Sequence, residues 1–358
     1  MSRPIVYLMV TNHGFGHAVR ISCVAAQLKQ LCPDILLILA TTTPHWLIES
    51  YLGEDFIYRS RAFDVGVIQA DSIQMDKKAT KEKIEQIRRK QNSIIAAEVN
   101  FLKTNRVQLI LADIPPLAAP LAQAAGIPCW MMSNFGWDFI YGQWGEEFQE
   151  ISQWISECYQ KCDRLFRFPL CEPMSAFSSI TDVGLTGGTP RLSETELRNI
   201  FNLKSPPSKT VLLTFGGLGL QQIPYQQLDK FTDWQFITFD RHAPELANII
   251  KITDHRYRPV DFMPLCGRVV CKPGYSTFAE ALRLNVPIVT LTREDFGETP
   301  FLLEGLKKYS QHQIITPAEF FGDSWEFLQQ SLVPARLENT LAKNGAEVIA
   351  GEVLNYLL

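Results

Sequence analysis

Two histidines stand four residues apart in "TNHGFGHAVR", residues 11–20, with Gly14 and Gly16 between them. A neutral imidazole titrates near neutral pH, so a histidine here could take a proton from a weakly acidic hydroxyl. Two other chemistries compete for the pair. A metal site at i, i+4 needs a third ligand, and no convincing one comes with them. A dinucleotide loop needs G-x-G-x-x-G, but Val19 holds the third glycine position. The next apolar run also ends in "ATTTP", without the acid that would hold a ribose.

A second set of residues suits an anion. "TFGGLGLQ" places Gly216, Gly217 and Gly219 after an apolar run, where backbone N–H groups can turn toward a phosphate without Cβ interference. "CKPGYSTFAEAL" reads as another strand-to-helix junction, with Gly274 before the helix and Ser276 or Thr277 as its N-cap. A helix N-terminus carries unsatisfied N–H groups and partial positive charge, which suits a diphosphate. Glu280 lies one turn further in, where its carboxylate could accept from two ribose hydroxyls. This is nucleoside-diphosphate chemistry without a Walker lysine or a required metal. "SNFGWDFIYGQWGEEF" is dense in aromatic residues. Most of its rings, Phe135, Trp137, Phe139, Tyr141 and Trp144, read as core, with Trp137 also a candidate for an acceptor wall. Asn134 and Asp138 are stronger candidates, because polar groups beside aromatics near a cleft need partners.

These residues need elements to position them, and the chain supplies two sets. Residues 5–10 are an apolar strand, 18–31 a helix and 35–40 another strand. Residues 76–105 have the period of an exposed amphipathic helix. "VQLILAD" is a buried strand ending at Asp113, followed by a helix over 117–125, stopped by Gly126 and Pro128, and the strand "CWMMSNF". Strands separated by helices predict a parallel sheet covered on both faces. After "RLFRFPL" the stretch "CEPMSAFSSITDVGLTGGTPRLS" carries no period and reads as a linker. The pattern then restarts with "TVLLTF", "WQFITF", "RVVCKPG", the helix "STFAEALRLN" and the strand "VPIVTLT"; residues 334–358 read as helical. The expected organisation is a first domain over 1–172, a linker over 173–190, a second domain over 191–335 and a terminal helix over 336–358 packing back on the first domain. Two such domains face each other across a cleft, the natural ligand site of α/β sheets.

Composition excludes several classes. A length of 358 residues fits two domains, and a formal net charge of −4 gives no global pull toward nucleic acid or an anionic membrane. Hydrophobic content of 46% and charged content of 20% are ordinary for a globular protein. No apolar run is long enough for a transmembrane helix and no signal pattern opens the chain. Eight scattered cysteines, without paired CxxC spacing, read as reduced thiols in a cytoplasmic protein. Cys158, Cys162 and Cys171 do not have zinc spacing.

The motifs "HGFGHAVR" and "KPGYSTFAEAL" resemble those of the GT-B glycosyltransferases, among them the UDP-sugar glycosyltransferases and the peptidoglycan N-acetylglucosaminyltransferase. The sequence is more similar still to the N-terminal glycosyltransferase-like domain of plant L-arabinokinases, through "ADIPPLA", "SNFGWDFIY", "FGG" and "EDFGETPFL". No counterpart of the sugar-kinase domain of those proteins is expected in this sequence. The resemblance implies two Rossmann-like domains and inverting sugar transfer from a nucleoside-diphosphate sugar, with uridine the common base. It puts His17 at the catalytic histidine and Asp113 at the aspartate that orients it. Gly274, Tyr275, Ser276, Thr277 and Glu280 fall on the donor motif, with Glu280 on the ribose. Lys272 takes the place of a phosphate-binding histidine. Where the family ends its motif with an acid and a glutamine, this chain has "REDFGET", leaving Asp295 and Glu298 as the sugar-binding candidates. His13, Gly14 and Gly16 fall to the acceptor or the phosphates. Arg20 reads as exposed or paired with a carboxylate. No metal or cofactor is expected. The partners are a nucleotide sugar and an unidentified acceptor, with peripheral membrane contact left open and nucleic acid not expected. Two rival functions stay in view: a sugar-nucleotide epimerase of the same fold, and a non-catalytic nucleotide-sugar-binding module.

Overall fold

Runs such as "IVYLMV" and "LLILAT" are apolar at nearly every position, as strands buried on both faces must be. The computed structural model describes residues 3–69, 75–217, 219–220, 223–293, 295–322 and 324–358. The chain runs β1 (Ile5–Val10), α1 (Gly16–Leu31), β2 (Leu36–Thr41), α2 (His45–Leu52), β3 (Ile57–Ser60), α3 (Lys77–Thr104), β4 (Leu109–Asp113), α4 (Ala118–Ala125) and β5 (Cys129–Ser133). It continues through α5 (Trp137–Gly142), α6 (Gln149–Tyr159), β6 (Arg164–Arg167) and β7 (Ile180–Asp182). The second half holds α7 (Glu194–Ile200), β8 (Thr210–Thr214), β9 (Gln235–Thr238), β10 (Ile249–Lys251), α8 (Pro259–Phe262), β11 (Arg268–Cys271) and α9 (Tyr275–Arg283). It closes with β12 (Ile288–Leu291), α10 (Thr299–Tyr309), β13 (His312–Ile315), α11 (Pro317–Phe321) and α12 (Gly345–Leu357).

Two parallel sheets result, ordered β3-β2-β1-β4-β5-β6-β7 and β10-β9-β8-β11-β12-β13. In each, the order reverses beside the first strand, at β1/β4 and at β8/β11, which opens a crevice at the carboxyl ends. Val10 pairs with Asp113 and Thr214 with Cys271, so both expected motifs leave their sheets at these crevices. One continuous hydrophobic cluster runs from α1 through α12 and α9 into the second sheet.

Three expectations are corrected. The segment 173–190 is not plain linker: β7 adds an edge strand to the first sheet, too short and too exposed to show a period. The terminal helix begins at Gly345, not near 334, and the residues before it form a strap, with Leu185 N–H donating to Ala342 O at 2.7 Å. The N-cap of α9 is Gly274, with no side-chain cap bond. The helix α12 does return to the first domain, through Arg164 and Glu352 at 2.7 Å and a Trp130–Tyr356 contact.

Candidate active site at the domain cleft

The first turn of α1 brings His17 beside the end of β4. Nδ1 of His17 lies 2.7 Å from Oδ1 of Asp113, and the two side chains are buried. Arg20, one turn along the same helix, is only 2% exposed and grips the same carboxylate through Nε and through Nη2, the latter at 2.6 Å. Nη2 also lies 3.0 Å from Ser133 Oγ and 2.9 Å from His17 Nδ1. A guanidinium nitrogen of this kind has two hydrogens, and Asp113 and Ser133 take both. The third approach is a consequence of crowding around Oδ1. A carboxylate only accepts, so a 2.7 Å contact requires the ring proton on Nδ1. Nε2 keeps its lone pair.

The network continues across the cleft. Nη1 of Arg20 donates to Asn134 Oδ1 at 2.6 Å, and Asn134 Nδ2 donates to Glu298 Oε1 at 2.7 Å. Burial holds His17 below its ordinary value; Asp113 opposes this, while Arg20 and Lys272 add to it. Burial pushes the Asp113 carboxyl up, but Arg20 and His17 outweigh it and hold it below the usual range. At neutral pH the constellation is therefore a neutral imidazole beside a carboxylate–guanidinium pair. His13 is likewise held low by burial and by its neighbours His17, Lys272 and Arg293, and its ring stands edge-on to Trp137 at 5.2 Å.

Between the domains lies a cavity of about 880 Å³, a size that suits a nucleotide. Phe15, Trp46 and Tyr51 line it from the first domain, and Gly216, Gly217, Gly219, Ser276, Thr277 and Glu280 from the second. The two halves touch closely. A Cβ on Gly217 would stand 2.5 Å from the Phe15 ring, so only glycine lets the loop pass. Ser276, expected as a cap, instead donates from Oγ to Gly16 O at 2.8 Å, across the cleft. Gly14 sits at φ +59 in an exposed turn ahead of α1. Lys272 folds over Gly216, its Nζ 3.9 Å from where a Cβ there would stand. Glu280 is 4% exposed; its Oε1 accepts from Gly188 N at 2.9 Å and Tyr51 OH at 3.3 Å. Burial raises its carboxyl to about 7. Tyr275 packs under the network, stacked on Phe168 at 5.3 Å with Arg20 over its ring. Leu218, Gln221 and Gln222 of the glycine loop and Glu294 of "REDFGET" lie outside the described residues.

Two expected site residues are elsewhere. Asp295 has φ 62, which turns its carboxylate outward to Lys77 at 3.3 Å while Phe296 takes the inward place. Asp138 lies in the first turn of α5 with its carboxylate against Gly136, and burial raises it to about 6. Trp137 does reach the site, its Nε1 donating to Thr11 Oγ1 at 2.9 Å and its ring 6.1 Å from His17. Reading by pattern missed Asp64, which accepts from Thr11 Oγ1 and, at 2.7 Å, from Asn12 N, and so braces the turn before His13. It sits in an irregular stretch with no period to mark it. Trp46 was legible in principle, since it follows the carboxyl end of β2. It stacks on His255 of the second domain at 3.9 Å. Among the described residues no group of three His, Cys, Asp or Glu side chains is placed to hold a metal ion, and no helix is long and apolar enough to cross a membrane.

Known proteins give the fold. A UDP-glucosyltransferase from Polygonum tinctorium capable of glucosylating indoxyl superposes with a TM-score of 0.62 at 14% identity, over 92% of this chain and 89% of its own. UGT89C1 of Arabidopsis thaliana, solved in complex with UDP, superposes with a TM-score of 0.60 at 13% identity, over 99% and 94%. The chain has the GT-B fold. In sequence it is similar to L-arabinokinase of Arabidopsis thaliana, 31% identical over 308 residues. That match takes in 84% of this chain but only 29% of the relative's length. No protein-family model matches the chain.

Proposed function

We propose that this GT-B protein transfers a sugar from a nucleoside-diphosphate sugar, with uridine as the base, to an acceptor hydroxyl, inverting the anomeric centre. The observation that carries the reading is the buried His17–Asp113 pair, with the ring proton on Nδ1, next to a nucleotide-sized cavity. Nε2 of His17 takes the acceptor proton as the acceptor oxygen bonds to the anomeric carbon and the bond to the diphosphate breaks. Asp113 holds the tautomer and balances the imidazolium that forms. The leaving diphosphate meets the glycine turn, Lys272 and the N-terminus of α9, all sources of positive potential. Glu280 holds the ribose hydroxyls. UDP in the fold neighbour UGT89C1 supports the choice of base.

The test is release of the nucleoside diphosphate from a panel of nucleotide sugars, with a panel of hydroxyl acceptors, by wild type and His17→Ala. Release that falls at least a hundredfold in the variant is the expected result. Release that is unchanged in the variant, or absent with every donor, overturns the reading.

A further inference from the structure

His17 shares its carboxylate with a cation. Asp113 accepts from Nδ1 of His17 at 2.7 Å and from two nitrogens of Arg20, and all three side chains are buried. When Nε2 of His17 takes a proton, two positive charges face the one negative charge of Asp113. Burial, with Arg20 and Lys272, already holds the ring below its ordinary value against Asp113. Like charges repel strongly in a buried site, so an imidazolium here is helped by a second anion.

The second domain brings one. Glu298 is the N-cap residue of α10 and is 6% exposed. Its Oε1 accepts from Asn134 Nδ2 at 2.7 Å, while Asn134 Oδ1 accepts from Arg20 Nη1 at 2.6 Å. A carboxylate only accepts and a guanidinium only donates, so the amide between them has one orientation and cannot turn over without losing both bonds. Burial raises the Glu298 carboxyl; Asn134, Arg20, Arg293 and Lys272 oppose this, and a helix N-terminus also favours the ionised form. Two other titratable groups face the set. His13 stands edge-on to His17 at 6.1 Å, and the Tyr275 ring lies 5.4 Å from the Arg20 guanidinium. Burial keeps the first unprotonated and the second protonated, so both are neutral. Among the described residues, Asp113 and Glu298 are the carboxylates that act on Arg20.

We infer that Glu298 is a positioning residue for the base rather than a sugar ligand: through Asn134 it fixes Arg20 and offsets its charge, which leaves Asp113 to balance the imidazolium of His17. The step it serves is the proton transfer of the proposed reaction, and to that extent the inference rests on the transfer reading; its effect on the His17 ring does not. His17, Arg20, Asp113 and Asn134 belong to the first domain and Glu298 to the second. The base therefore has its full negative surroundings only with the two domains in contact.

Two measurements test this. In the first, the titration of His17 is followed by nitrogen-15 NMR of the imidazoles, without substrate, in variants checked for a native melt. Glu298→Gln removes the charge and keeps an oxygen that can accept from Asn134. It should lower the His17 midpoint by about one pH unit, the scale of a unit charge on the order of 10 Å away at an effective dielectric of about 20. Glu298→Ala, which admits water in place of the carboxylate, should shift it in the same direction and serves if the glutamine variant does not fold. Glu298→Asp, which keeps the charge, should titrate as wild type. An unmoved midpoint in a folded, uncharged variant, or an equal shift in Glu298→Asp, overturns the inference. In the second, diphosphate release is measured at pH 7. Glu298→Gln should lower kcat by roughly threefold or more and leave KM for the donor within about twofold, as expected when a base is weakened and donor binding is untouched. A donor KM raised at least tenfold at unchanged kcat marks a sugar ligand and overturns the inference. Absence of release from wild type counts against the transfer reading, and the titration then decides the role of Glu298 by itself.

Discussion

Replacing Asp113 by asparagine tests whether this carboxylate sets the state of the base. It accepts from His17 Nδ1 at 2.7 Å and from two nitrogens of Arg20, Nε and, at 2.6 Å, Nη2. An amide in its place offers one accepting oxygen and one NH₂ donor. If the oxygen turns to Arg20, the NH₂ faces Nδ1 and drives the ring proton to Nε2. If the oxygen turns to His17, two donors oppose each other at Arg20. The first arrangement wins, because a hydrogen bond to a charged group contributes roughly 1.5–3 kcal/mol against about 1 for a neutral one. The lone pair that would take the acceptor proton is then gone, and kcat should fall by about 10⁴, the scale seen when a triad aspartate becomes asparagine. Arg20, 2% exposed, also loses its counter-charge, which costs about 3–5 kcal/mol of stability and lowers Tm by several degrees. Nitrogen-15 NMR of the imidazoles reads the tautomer without any substrate. The expected result is Nδ1–H in wild type and Nε2–H in Asp113→Asn. A folded variant that keeps Nδ1–H, or that loses less than tenfold in kcat, refutes the reasoning.

The remaining predictions concern pH. Glu280 has its carboxyl raised to about 7, so the folded state resists its ionisation. The penalty is absent below the ordinary carboxyl value, grows as pH rises and is complete above about 7, on the order of 3 kcal/mol. Glu280→Gln, whose oxygen can still accept from Gly188 N and Tyr51 OH, should therefore raise Tm at about pH 8 and leave it unchanged near pH 4; equal shifts at both would contradict the burial argument. For the base, the direction is opposite. His17 is held below its ordinary value, first by burial, so the acid limb of kcat/KM should lie below about pH 6.5. A limb above that value would show that Asp113, not burial and Arg20, dominates the ring.

The strands at the two crevices were legible because burial on both faces leaves no polar alternation to confuse them. What escaped were short, half-polar pieces at the sheet edges: β3, β10 and β13 have four, three and four residues. Gly16, His17 and Gly274 fell where the strand-end rule puts them. Arg20 was harder to read. An arginine four residues past the first residue of a helix carries no local sign of burial, and only the fold shows that this turn of α1 faces Asp113 and Asn134. Acid and aromatic were exchanged at 295–296 for a similar reason. Side-chain chemistry favours the acid inside a sugar site, but the backbone turn at Asp295 reverses which residue points in. Glu280 was singled out by type and spacing and Glu298 by the resemblance, while the residues that hold them, Gly188 and Asn134, come from distant segments that no local pattern links to them.

The central claim is a nucleoside-diphosphate site in the cleft, and calorimetric titration tests it most directly. UDP, GDP, ADP, TDP and NAD are titrated into wild type, Glu280→Ala and His17→Ala, each checked for its native melt. One diphosphate, UDP, should bind with micromolar affinity, weaken at least tenfold in Glu280→Ala and bind His17→Ala as it binds wild type. Binding by none of the five, or UDP binding indifferent to Glu280→Ala, would contradict the account.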